Sequence, residues 1–118
     1  RSSKLVYGEI LMANVYKNAI VPVDTTVLTT TYTCPATARA VIQNMQFANE
    51  SGSVDVKVHL YDVSETTTVE IGHDTLSSKE TVNLAKGPIV LEEGDSLLTT
   101  VGNSSIQGVI SILEINRD

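Results

Sequence analysis

The chain has 118 residues, 8 basic and 14 acidic side chains for a net charge of −6, and is 42% hydrophobic and 19% charged. This is one small domain's worth of sequence, too apolar for a disordered chain, and no apolar run approaches the ~18 residues that span a bilayer. The acidic balance argues against nucleic acid and anionic membrane surfaces as partners, because no Lys/Arg stripe is present to displace counterions.

Val, Ile and Thr supply 38 of the 118 residues, against five aromatic side chains and no Trp. β-Branched residues favour strands, and short apolar runs alternate with turn signals about every ten residues, the spacing of sandwiches and barrels. The opening Arg1-Ser2-Ser3-Lys4 lacks the apolar core of a signal peptide. Leu5 to Val15 reads as a first strand, with Gly8 as a bulge or close approach, and Tyr16 to Asp24 as a connection through Pro22. Val27 to Thr33 is a Thr-rich strand broken at Pro35, which has no N–H to donate. Arg39 to Ala48 follows, with Val41, Met45 and Phe47 expected on one face, and Asn49 to Ser53 forms a turn.

Val54 to Val63 alternates most cleanly: Val54, Val56, Val58 and Leu60 face a core, and Asp55, Lys57, His59 and Tyr61 face outward. Ser64 to Ser78 is weaker, with a short strand at Val69–Ile71 and a turn at Gly72-His73-Asp74. Glu80 to Leu84 and Ile89 to Leu91 are short strands. Glu92-Glu93-Gly94-Asp95 reads as a tight hairpin with Gly94 at positive φ, leading into Ser96 to Val101. In the last strand, Ile106 to Ile115, apolar residues occupy both faces, so something besides the fold's own core is expected to cover Val109, Leu113 and Ile115. The sum is eight or nine strands in a single all-β domain over 1–118. An antiparallel β-sandwich, a jelly roll being one form of it, is expected.

Candidate chemistry is sparse. Cys34 with His59 or His73 as base would make a thiolate nucleophile, but a lone thiol before Pro35 is read as a buried small side chain. Two histidines fourteen residues apart make a poor zinc pattern. Glu92, Glu93 and Asp95 could offer oxygens to calcium, and are read instead as a solvated turn. No phosphate-cradling loop occurs, and a glycan platform would rest on Tyr61 alone among Tyr7, Tyr16, Tyr32, Tyr61 and Phe47. The expectation is no enzyme, no metal and no cofactor. The Thr-rich stretches (29–31, 66–68, 99–100) read as exposed strand faces or packing surface.

Two stretches carry a resemblance: Tyr32-Thr33-Cys34-Pro35-Ala36 followed by Ala40 to Asn49, and Gly87-Pro88-Ile89-Val90-Leu91-Glu92-Glu93-Gly94-Asp95-Ser96-Leu97, with Gly108 to Ile112 closing. Their order over residues 30–115 resembles small β-sandwich structural proteins of tailed bacteriophage particles. The resemblance implies a non-enzymatic virion protein, foremost a capsid decoration (cement) protein on the shell exterior. Its implied partners are the major capsid protein or other virion proteins, and its implied assembly is a homo-oligomer, a trimer first. A neck, tail or fibre component is the nearest alternative. A receptor- or glycan-binding module and a small jelly-roll hydrolase are the rivals from other classes. Residues 1–15 fall outside the resemblance and are expected to serve as a docking strand or arm. The contact residues expected are Leu5, Val6, Tyr7, Ile10 and Leu11 in that arm, with Val109, Leu113 and Ile115 in the last strand.

Overall fold

A computed structural model describes residues 12–22, 25–103 and 105–117. Nine strands run in chain order: β1 Met12–Ile20, β2 Thr25–Thr33, β3 Ala38–Asn49, β4 Val54–Asp62, β5 Thr67–Leu76, β6 Thr81–Asn83, β7 Ile89–Leu91, β8 Ser96–Val101 and β9 Ile106–Arg117. They form two antiparallel sheets, one ordered β1-β9-β3-β6 with β7 also on β3, the other β2-β8-β4-β5. β7 pairs with the first part of β3 and β6 with its last part, so the two lie end to end and fill one strand position. The eight resulting positions change sheet at every connection except β4–β5, as in a jelly roll built of two Greek keys.

The core lies between the sheets, where every second residue of each strand points inward. Ile42, Met45, Phe47, Leu91, Ile110 and Ile112 from the first sheet meet Val56, Val58, Leu76, Leu97 and Val101 from the second. Gly108 sits opposite Phe47, and a Cβ there would lie 2.5 Å from the ring, so the phenyl group occupies the space that any other residue would need.

Several expectations are corrected. The first strand does not end at Val15: β1 continues through Ile20, because Tyr16–Ile20 pairs residue for residue with Val109–Leu113. Val41 does not share a face with Met45 and Phe47. A bulge between Ile42 and Asn44 inserts one residue, which moves Val41 to the outer face while Ala40, Ile42, Met45 and Phe47 stay inside. Gly72-His73-Asp74 is not a turn but the middle of β5, and a second bulge opposite Val58/His59 absorbs one extra residue there. Glu92 to Asp95 is a tight turn with Gly94 at φ 86°, yet it is no hairpin, because it passes from β7 in one sheet to β8 in the other.

Candidate functional site

The outer face of the first sheet carries a row of apolar side chains set by strand register. Tyr16 pairs with Leu113, Leu113 with Val41, and Val41 with Val90, so one line crosses β1, β9, β3 and β7. Ile115 stands two residues along β9 on the same face, and the Ile20–Val109 pair repeats the pattern at the far end. Tyr16 is 74% exposed, Ile20 73% and Val90 55%. Neighbouring cross-strand positions are close enough for side-chain contact, so these residues form one apolar row, with Arg39 beside Ile115 and the Asn18–Ser111–Asn44 line between the row and Ile20–Val109. Val109, Leu113 and Ile115 therefore share this face, as the doubly apolar last strand led one to expect, while Ile110 and Ile112 point into the core. Leu5, Val6, Tyr7, Ile10 and Leu11 lie outside the described residues. Sequence reasoning missed Tyr16, Ile20, Val41 and Val90. Each is unremarkable alone, and only the register of four strands distant in sequence aligns them.

The motif residues that carried the resemblance prove to be internal ties. The Tyr32 hydroxyl, on β2, donates to Glu114 Oε2 on β9 at 2.5 Å, joining the two sheets. Glu114 is buried, and Lys17 of β1 also reaches its Oε2 at 3.2 Å. Burial alone would raise the Glu114 pKa, but the bonds from Tyr32 and Lys17 outweigh it and hold the carboxyl below its ordinary range. For Tyr32 burial and the neighbouring carboxylate act together and push the hydroxyl's pKa up. The Cys34 thiol is buried and donates to the Ala38 carbonyl at 3.3 Å; burial, then Glu114, pushes it up to about 11. A thiol so placed is a poor nucleophile.

Asn49 ends β3 buried. Its side-chain amide donates to the carbonyls of Gly52, Leu76 and Ser77 at 2.8, 3.0 and 3.1 Å, and its Oδ1 accepts from Ser105 Oγ at 2.7 Å. Asp95 is also buried rather than solvated: Oδ1 accepts the Val63 N–H and Oδ2 the Glu92 N–H, closing the turn between sheets.

Among the described residues, Asp62, Glu92 and Asp95 are the one trio whose carboxylate oxygens lie within 4.8 Å of one another. Asp95 is committed to backbone N–H groups, and Asp62 Oδ1 accepts from Ser64 and Glu65, the bond from the Ser64 hydroxyl first among the causes that hold its pKa down. Asp95 and Asp62 Oδ1 thus cap turns, and the Glu92 carboxylate stands exposed beside them. On the outer face of the second sheet, Glu70 lies 2.7 Å from His73 Nδ1 and 3.7 Å from His59 Nε2, beside Lys57 across from His73. The outer face of the second sheet thus gathers titratable side chains around Glu70, while that of the first carries the apolar row among the polar neighbours Arg39, Asn18, Ser111 and Gln46.

No protein-family model matches this chain, and no curated protein matches it. Solved structures share its fold. A chain of the infectious bursal disease virus particle matches with a TM-score of 0.54 at 10% identity over 86% of this chain, which spans 30% of that viral chain. A chain of the acid-stable capsid of the Helicobacter pylori bacteriophage KHP30 matches with a TM-score of 0.54 at 15% identity, covering 88% of this chain and 92% of that one. A subunit of the disulfide-linked pili that form Bacillus endospore appendages matches with a TM-score of 0.51 at 10% identity, over 98% and 96% of the two chains. At these identities the likeness establishes the jelly-roll sandwich as a fold shared with viral capsid chains.

Proposed function

We propose that this chain is a non-enzymatic structural protein of a bacteriophage virion, foremost a capsid decoration protein that sits on the shell exterior and cements its subunits. The observation that carries the reading is the apolar row Tyr16–Leu113–Val41–Val90 on an open sheet face of a protein with net charge −6. Such a face is costly to leave in water and suits a fixed partner. The match to a chain of the KHP30 capsid, over 88% of this chain and 92% of that one, supports the choice of partner. In this reading Val109, Leu113 and Ile115 contact the major capsid protein or another virion protein, and Leu5, Val6, Tyr7, Ile10 and Leu11 extend the contact from the N-terminal arm. Many copies, each binding only the closed arrangement of its neighbours, stabilise the shell by mass action. Copies associate as a homo-oligomer, a trimer first.

The pilus match, which covers nearly all of both chains, favours a fibre subunit as the second reading. A disulfide-linked fibre of this chain has little chemistry to draw on, since Cys34 is the sequence's one cysteine and it is buried. Immunogold microscopy separates the readings. Antibody against the purified chain should label tailed particles, produced from the genome that encodes it, over the whole capsid surface. Label confined to a neck or tail would move the protein there, and label on filaments with none on particles would refute the virion assignment.

A further inference from the structure

His59 and His73 make a poor zinc pattern in sequence, yet strand pairing brings both to one carboxylate, Glu70, on the outer face of the second sheet. The bulge in β5 is what places them. In a regular strand residues i and i+3 point to opposite faces, which would part Glu70 from His73. Here Glu70 stands across from His59 and His73 across from Lys57, so both share the face of His59. The two residues between them turn the other way: Ile71 packs on the core, and a Cβ at Gly72 would meet Leu84. Re-aiming a side chain is what bulges do beside functional sites. The His59 ring is otherwise unexplained. It is 20% exposed, its Nδ1 is buried with no hydrogen-bond partner, and its Nε2 lies 3.7 Å from Glu70 Oε1, beyond hydrogen-bond distance. Packing holds the ring against the carboxylate with no bond between the two.

We propose that His59, Glu70 and His73 form a zinc site, with His59 Nε2, a Glu70 oxygen and His73 Nδ1 as ligands and the fourth position open to water. Two ligand atoms on one zinc, each ~2.1 Å from the ion at a tetrahedral angle, lie about 3.4 Å apart. The 3.7 Å gap between His59 Nε2 and Glu70 Oε1 is too long for a hydrogen bond and close to that spacing. His73 Nδ1 stands 2.7 Å from Glu70 Oε2. The three ligand atoms do not all lie within 4.8 Å of one another, so closing the trio takes a turn of the His73 ring, which is 70% exposed and free to make it. Chemistry selects the ion. Imidazole nitrogens with a carboxylate suit zinc and its first-row neighbours, whereas calcium takes about six to eight oxygens. Lys57, across from His73, opposes any cation held by charge alone and leaves coordinate bonds as the source of affinity. With one ligand on β4 and two on the edge strand β5, the ion ties the two strands across the bulge, so its binding adds to folding stability.

The test is calorimetric titration of zinc chloride into the purified full chain after treatment with a chelator. One zinc should bind per chain and raise its Tm. His59→Ala, Glu70→Gln and His73→Ala should each weaken binding by more than the ~10-fold that loss of an outer partner of a metal ligand costs, and should remove the Tm shift. Glu70 and His73 are exposed enough for their variants to fold, which circular dichroism checks. With cobalt(II) in place of zinc, the ring resonances of both histidines should shift together in the unmutated chain. Glu92→Gln, in the acidic trio, should bind zinc as the wild type does. No saturable binding up to millimolar zinc would overturn the proposal. So would binding lost with His73→Ala alone, as for an isolated surface histidine, or lost with Glu92→Gln and kept with His59→Ala.

Discussion

Asn49→Ala should be among the most damaging single changes in the molecule. The side-chain amide serves three backbone carbonyls, and its own oxygen takes the Ser105 hydroxyl. Alanine leaves the Leu76 carbonyl, in a buried setting, without that donor and releases the loop at Gly52 and the end of β5 at Ser77 together. Two amide hydrogens make two full bonds' worth of interaction at ~1 kcal/mol each, and an unpaired buried carbonyl adds about 1–2 kcal/mol. The loss is then about 3 kcal/mol, a large share of the 5–15 kcal/mol that holds a domain folded, and corresponds to a fall in Tm of roughly 10–15 °C. Urea denaturation monitored by far-ultraviolet circular dichroism measures it directly. Asn49→Asp should be at least as damaging, because it turns an acceptor toward three carbonyls. Gln43→Ala, on an exposed bulge position, should stay within about 0.5 kcal/mol of wild type. If Asn49→Ala costs less than about 1 kcal/mol, the assignment of Asn49 as the tie between β3, β5 and the loop before β9 is wrong.

Gly108→Ala should cost about 1–3 kcal/mol, since its Cβ would enter the Phe47 ring at 2.5 Å; Phe47→Leu combined with it should recover part of the loss, read by the same denaturation. Glu114 has a folded-state pKa below its ordinary 4.5, so the stability it contributes is present above pH 4.5 and is lost as pH falls through the lower folded value. Glu114→Gln should therefore flatten the acid limb of the Tm–pH profile, and an unchanged limb would refute that assignment. Cys34, with its pKa near 11, should resist a thiol reagent at pH 8 in the native protein and react at once in urea; fast native labelling would contradict its burial.

The sequence made the architecture legible wherever alternation was unbroken and the strand was apolar on one side. β4 was read face by face, and the doubly apolar β9 showed that apolar side chains stand on the outer face as well as in the core. Legibility failed where the deciding interaction lay elsewhere in the chain. β1 extends through Tyr16–Ile20 because β9 supplies partners almost a hundred residues away, and the local sequence there looks like a connection. β5 is polar and contains Gly72, yet β4 recruits it as an edge strand. The β3 bulge inverted the face of Val41, a one-residue shift that carries no strong local signal. Asp95 looked like a solvated acid at a turn, while the fold buries it under the Val63 N–H. The candidate docking face shows the same division. Its β9 members were visible as an anomaly in one strand, and its β1, β3 and β7 members emerged only from cross-strand register.

The most direct test of the decoration reading is cosedimentation of the purified chain with particles depleted of it, comparing wild type with Tyr16→Asp and Val90→Asp. Both substitutions fall on exposed positions of the apolar row, so folding should survive them. The account predicts saturable binding by wild type and at least a tenfold loss of affinity in each variant, about 1.4 kcal/mol or more. Undiminished binding by both variants would show that this face does not dock, and no binding by folded wild-type chain would contradict the capsid role itself.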